Sequence, residues 1–179
     1  KAEYETEVVL KSFNIYGLNC DYSHLRRLRK RTVKGMLILA NDKHLDQAET
    51  LYNMVGCKPA PTPMVAEFDP EQDELSDKLD EEEATRYRRV VMVLMFYGQD
   101  KYEAQYAIKE CSRVMQKPTV YGKGLLRRVI RFLEGLRDQG TFVSAAGQMS
   151  QGTGWTDTNW ANCRVTREST TSGCIVLGN

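Results

Sequence analysis

Long apolar runs are missing from this 179-residue chain, and no window approaches the roughly 18 consecutive apolar residues that a membrane span requires. Histidine is scarce: His24 and His44 have no partner at ligand spacing, which leaves neither a credible metal or catalytic residue. The five cysteines, Cys20, Cys57, Cys111, Cys163 and Cys174, are odd in number and contain no C-x-x-C pair. A zinc site or disulfide framework is therefore excluded as an organising feature, and a reducing intracellular compartment is the expectation. There is no Gly-rich phosphate loop, no G-x-S-x-G and no cysteine with a matched histidine, so the chain carries no complete active site of those kinds. It also lacks an initiator Met and a signal stretch, and reads as cut from something longer.

An excess of one charge is missing too, at +1 overall, but the charges that are present segregate. Arg26, Arg27, Arg29, Lys30, Arg31 and Lys34 follow His24 without an acid, whereas Asp69 to Glu83 carries nine acids and the single Lys78. Such blocks create local fields that the sum conceals. With 41% hydrophobic and 27% charged residues, the composition is that of a globular chain with a core.

The patterning predicts an α+β fold. A strand is expected over Tyr4–Tyr16 and another over Met36–Leu39 behind a turn, together forming a small antiparallel sheet. Asn41-Asp42 can cap a helix through Leu45, Ala48, Leu51 and Tyr52, with Gly56 as its left-handed stop. Pro59, Pro61 and Pro63 then impose an extended connector, and the acidic run after it is expected to be solvated. Three amphipathic helices follow, over Asp80–Tyr97, Tyr102–Met115 (ended by Pro118) and from about Leu125 to a stop at Gly140; they imply a packed cluster. Tyr97, Tyr102 and Tyr106, at near-helical spacing, read as core more readily than as a base-stacking platform. Thr141-Phe142-Val143, Trp155 to Trp160 and Cys174 to Leu177 read as successive strands of an incomplete C-terminal sheet.

Two constellations carry chemistry. The basic stretch Arg26, Arg27, Arg29, Lys30 and Arg31 can neutralise phosphates, as can the helical set Lys123, Arg127, Arg128 and Arg131; solvated faces are the alternative for both. Asp157, between two tryptophans, is either a metal ligand or a strand-edge cap. Metal-dependent phosphodiester cleavage needs several converging carboxylates, which one Asp does not supply.

The helix from Asp42 to Gly56 leads into Cys57-Lys58-Pro59-Ala60-Pro61-Thr62-Pro63-Met64, and Tyr87-Arg88-Arg89-Val90 through Tyr97 and Gln105-Tyr106-Ala107 come next. Arg127 to Gly135 and Trp155-Thr156-Asp157-Thr158-Asn159-Trp160-Ala161, with Thr166 to Gly173, follow. These segments, in this order, resemble the Pol polyprotein of copia-type LTR retrotransposons. The resemblance implies a palm end and thumb-like β plus helix over 1–64, an acidic linker over 65–79, a helical connection region over 80–140 and the start of a ribonuclease H-like domain over 141–179. By the same resemblance, the two basic sets hold an RNA–DNA hybrid and Asp157 is the first catalytic, metal-binding carboxylate of an incomplete site. Mg²⁺ is implied for the intact parent, and no cofactor for this fragment, which would not be catalytic alone. Asn159, Met92 and Asn162 depart from the family pattern, as does the stretch from Asp100 to Glu103. These departures leave a second reading open: a decayed or domesticated non-enzymatic subunit docking in a larger protein assembly, in cytoplasm or nucleus.

Overall fold

The computed structural model describes residues 21–24, 27–144, 152–161, 167 and 169–177, and divides into two compact units at Val143/Ser144. The strand expected over Tyr4–Tyr16, together with Leu25, Arg26, Cys20 and Cys163, lies outside the described residues.

The first unit opens with β1 (Asp21–His24), β2 (Arg27–Thr32) and β3 (Gly35–Leu39), paired antiparallel in turn. The basic stretch is thus itself a strand, closed onto β3 by a two-residue Val33-Lys34 loop with Thr32 opposite Gly35. Helix α1 (Lys43–Leu51) follows, its first amide bonded to Asn41 Oδ1 at 3.1 Å. It stops earlier than the Gly56 signal suggests. Asn53 takes the left-handed φ of 53°, while the Met54 and Asn53 amides reach back to the Glu49 and Thr50 carbonyls at 2.8 and 3.2 Å. This is a Schellman ending in which Asn replaces the usual Gly, and Gly56 serves only the next turn.

Residues 65–79 are no free linker. Asp69-Pro70 starts a short helix α2 (Pro70–Leu75), with the Asp69 carboxylate accepting from the Glu71 amide at 3.0 Å. Thr119 donates to Asp73, and the Tyr121 amide donates to Ser76 Oγ at 3.0 Å, which fastens this stretch to the start of a later helix. Glu71, Glu74 and Asp77 remain exposed, as an acidic, solvated run should.

Helices α3 (Glu81–Tyr97), α4 (Tyr102–Arg113) and α5 (Val120–Glu134) form the expected cluster, and α1 joins it by packing on α3 and α5. Leu45, Tyr87, Leu94, Cys111, Leu126 and Leu133 are fully buried at its centre. Tyr87 donates to the Cys111 carbonyl at 2.8 Å and Tyr97 to Asp42 Oδ1 at 3.0 Å, which meets the needs of both buried phenols. Of the expected tyrosine core only Tyr97 is buried; Tyr102, Tyr106 and Met95 face solvent. Helix α5 begins five residues before the apolar repeat alone indicates, because Thr119 caps it by accepting from the Gly122 amide at 3.0 Å. Gly122 packs closely there, since a Cβ would stand 3.0 Å from Val114 Cγ2. The helix ends at Gly135 rather than Gly140, and α4 ends at Arg113, short of Met115 and Pro118.

Strand β4 (Thr141–Ser144) overturns one expectation. It adds to β3, in sheet order β1-β2-β3-β4, instead of opening a C-terminal sheet. The second unit holds an antiparallel pair, β5 (Gly152–Asn159) and β6 (Thr170–Leu177), with Asp157 opposite Ser172. The α+β class holds. No helix among the described residues is long and apolar enough to cross a membrane.

Candidate nucleic-acid interface

Alternation along β2 sets Arg27, Arg29 and Arg31 on one face, the last two across from Ile38 and Met36, and turns Lys30 to the other face beside Leu37. Arg27 is engaged within the fold: its Nε meets Asp100 Oδ2 at 2.8 Å and its second nitrogen meets Gln99 Oε1 at 3.0 Å, which anchors the sheet to the 3₁₀ turn Gly98–Asp100 after α3. Arg29, Lys30 and Arg31 are half-buried, and Arg29 Nε is buried without a partner. The β2 side chains are therefore partly committed to structure, in a way that a run of basic letters does not show.

The α5 set divides between two tasks. Arg128 donates to Thr62 Oγ1 at 2.9 Å and Arg131 to the Lys58 carbonyl at 2.8 Å, while the Ala60 amide meets the Arg131 carbonyl at 3.1 Å. Those contacts clip the proline connector onto the helix. Lys123 pairs with Glu83 of α3, and Arg127, one turn on, is exposed with no such partner among the described residues. Lys123 and Arg127 line a small polar cleft with Tyr52, Asn53, Glu83 and Arg86. Arg86, Tyr52 and Asn53 are not among the candidate binding residues that the sequence offers, where Tyr52 reads only as part of the apolar side of its helix. The available signal was the Glu82-Glu83…Arg86 spacing of an ion-paired helix face.

A second, larger cleft of about 540 Å³ lies between the connector and α5 and is mainly apolar, with Met64, Val120, Tyr121 and Leu125 in its lining. Asp157 is exposed on β5, and among the described residues no three His, Cys, Asp or Glu side chains stand close enough to hold a metal ion. Mg²⁺ takes about six oxygen ligands, several of them waters, and one strand carboxylate opposite a serine does not make that site by itself. His44 packs its ring on Phe96 at 4.8 Å, a structural contact.

A charge cluster around the buried Glu49 ties α1 to the end of α5. Arg137 reaches Asp46 at 2.8 Å, Glu49 at 2.9 Å and Glu134 at 2.5 Å. Burial first, then a hydrogen bond and the charge of Glu134, push the Glu49 carboxyl up to about 7. Its folded state thus holds a proton that the unfolded chain releases near 4.5, so this stability is fully present below 4.5 and is lost as pH rises through about 7. The expected slope is at most roughly 1.4 kcal/mol per pH unit, and Glu49→Gln should flatten it. Urea titrations between pH 5 and 8 check this; an identical slope in the variant refutes the assignment.

Against known proteins, the chain is 26% identical over 148 residues to the "Uncharacterized mitochondrial protein AtMg00810" of Arabidopsis thaliana, covering 83% of this chain and 60% of that protein. It is 29% identical over 133 residues to the retrovirus-related Pol polyprotein from transposon RE2, and 29% over 128 residues to that from transposon RE1, both from the same plant. The chain is a homologue of retrotransposon Pol polyproteins. Each of those two matches covers 71% of this chain but only 8% of the polyprotein, and the match to the mitochondrial protein spans about 60% of its length. The motif order from the proline connector through the basic helix thus pointed to the right relatives. No family model and no solved structure matches the chain.

Proposed function

We propose that the chain is the stretch of a copia-type Pol polyprotein that runs from the end of reverse transcriptase into the start of ribonuclease H, and that it grips an RNA–DNA hybrid inside the cell. The similarity to the two Pol polyproteins carries this reading. The cations that suit it best are Lys123 and Arg127, because they share one cleft and Arg127 is exposed. Arg29 and Arg31 add cations on one face of β2 and Lys30 one on the other, while Arg27, Arg128 and Arg131 act through their internal bonds. Asp157 would contribute one Mg²⁺ ligand in an intact ribonuclease H.

The test is hybrid binding by the full chain over a salt series. Each phosphate neutralised contributes roughly −0.9 to the slope of log K against log salt, so a grip through three or four contacts gives about −3. Arg127→Gln should shallow the slope by about 1. Negligible affinity at low salt would overturn the duplex reading in favour of a docking subunit, for which exposed Trp155 and Val176, on one face of the β5–β6 pair, offer an apolar surface.

A further inference from the structure

The polar cleft at the end of α1 has chemistry of its own. It measures about 150 Å³ and is lined by Tyr52, Asn53, Glu83, Arg86, Lys123 and Arg127, with Leu51 at its edge. Glu83 already bonds both Arg86 and Lys123, and the far nitrogen of Arg86 reaches Glu82 at 2.8 Å. Three cations face one lining acid, a surplus of two positive charges, or of one when the exposed Glu82 is counted. Among the described residues Arg127 has no ion-pair or hydrogen-bond partner, and it brings its whole guanidinium fork to this place.

Tyr52 adds an independent sign. It is only 5% exposed, and its hydroxyl is buried without a hydrogen-bond partner. Buried polar groups are nearly always paired, so an orphan donor on the wall of a cationic cleft marks a missing acceptor. Burial, followed by the Glu83 charge, raises the phenol well above its ordinary value, so it remains a hydroxyl able to donate.

The cleft is small and polar, about 150 Å³, which suits one tetrahedral oxyanion with a few waters. A guanidinium fork, an ammonium and a hydroxyl donor around an excess of up to two positive charges match phosphate oxygens better than the two in-plane oxygens of a carboxylate. We infer that this cleft, between the end of α1 and the facing sides of α3 and α5, is a binding site for a single phosphate group, held by Arg127, Lys123 and Arg86 with the Tyr52 hydroxyl beneath. The phosphate can belong to a nucleic-acid end or backbone or arrive free; only its origin in a nucleic acid rests on the hybrid-grip reading.

The full chain is titrated with inorganic phosphate against chloride at matched ionic strength, by calorimetry and by ³¹P line broadening. Saturable phosphate binding is expected. Arg127→Gln, which breaks no pair among the described residues, should weaken it at least tenfold with an unchanged unfolding midpoint, and Tyr52→Phe several-fold with a midpoint no lower than that of the parent chain. Absence of saturable binding, or equal affinity in the Arg127→Gln chain, overturns the site. Oligonucleotides with a 5′-phosphate and a 5′-hydroxyl then separate the sources: preference for the former supports a terminal phosphate, and equal, Arg127-dependent binding supports the backbone. Phosphate binding without hybrid affinity leaves the site standing and removes the hybrid reading; hybrid affinity without phosphate binding does the reverse.

Discussion

Lys101→Met is expected to lower the unfolding free energy of the helical unit by about 2–4 kcal/mol. Lys101 sits between the 3₁₀ turn and α4, only 2% exposed, and its ammonium donates to the carbonyls of Leu136, Arg137 and Gln139. These lie just beyond the C-terminus of α5, where carbonyls lack helical partners and a cation is favoured. Leu136 keeps a second donor, the Gln139 amide at 3.0 Å, but the donors that Lys101 gives Arg137 and Gln139 have no replacement in methionine. A lost hydrogen bond from a charged donor costs roughly 1.5–3 kcal/mol. Against this, burial lowers the Lys101 pKa, so the fold holds the ammonium at a cost that methionine relieves. Two deserted carbonyls outweigh that relief, and methionine fills the space of the lysine stem, so no cavity adds to the loss. Urea unfolding gives the magnitude, and faster amide exchange over 136–144 locates it. A change below about 0.5 kcal/mol would show that water already serves these carbonyls.

Elements with both ends written in local chemistry were legible from the sequence. Asp80 with three glutamates, followed by Ala84, Tyr87, Val91 and Leu94, gave α3 to within a residue, because capping and apolar spacing agree. Misreadings arose where tertiary contacts override local signs. The apolar repeat starts the third helix only at about Leu125, yet α5 runs back through Gly124 and Gly122: Thr119 caps it, and Gly122 allows close packing on Val114. Gly56 looks like a stop, but Asn53 had already taken the left-handed turn. In the acidic run the eye follows charge and passes over Asp69-Pro70, a cap with its first-turn proline.

The candidate interface was half legible for a related reason. Basic letters mark potential but not allegiance, and the partners of Arg27, Arg128 and Arg131 are 73, 66 and 73 residues away in sequence. No spacing rule reaches that far. Arg127, which contacts none of them, can be told from Arg128 only by the turn of α5 that directs one toward Asn53 and the other toward Thr62. Glu49 was hidden in plain view. It occupies the buried stripe Leu45, Ala48, Glu49 and Tyr52, and a carboxylate on such a stripe signals a buried partner, here Arg137.

Gly140→Ala is expected to cost about 3 kcal/mol, the upper end for overpacking, and to detach β4. A Cβ at this position would lie 2.4 Å from the Ile38 carbonyl oxygen and 2.6 Å from Leu39 Cδ2. The leucine tip can swing aside. The carbonyl cannot, because Ile38 is held in the β2–β3 ladder opposite Arg29, so relief requires the chain after α5 to leave the sheet edge. The same substitution at Gly124, inside α5 with open space around it, should stabilise by up to about 1 kcal/mol, since alanine restricts the unfolded chain and favours helix. Opposite signs from one added methyl separate a packing effect from a general intolerance of change. The pair also tests topology: a Thr141–Ser144 strand belonging to the C-terminal sheet would leave Ile38 distant, and Gly140→Ala would then be as harmless as Gly124→Ala. Unfolding midpoints of the two variants, with amide exchange at Ile38 and Phe142, decide between these arrangements.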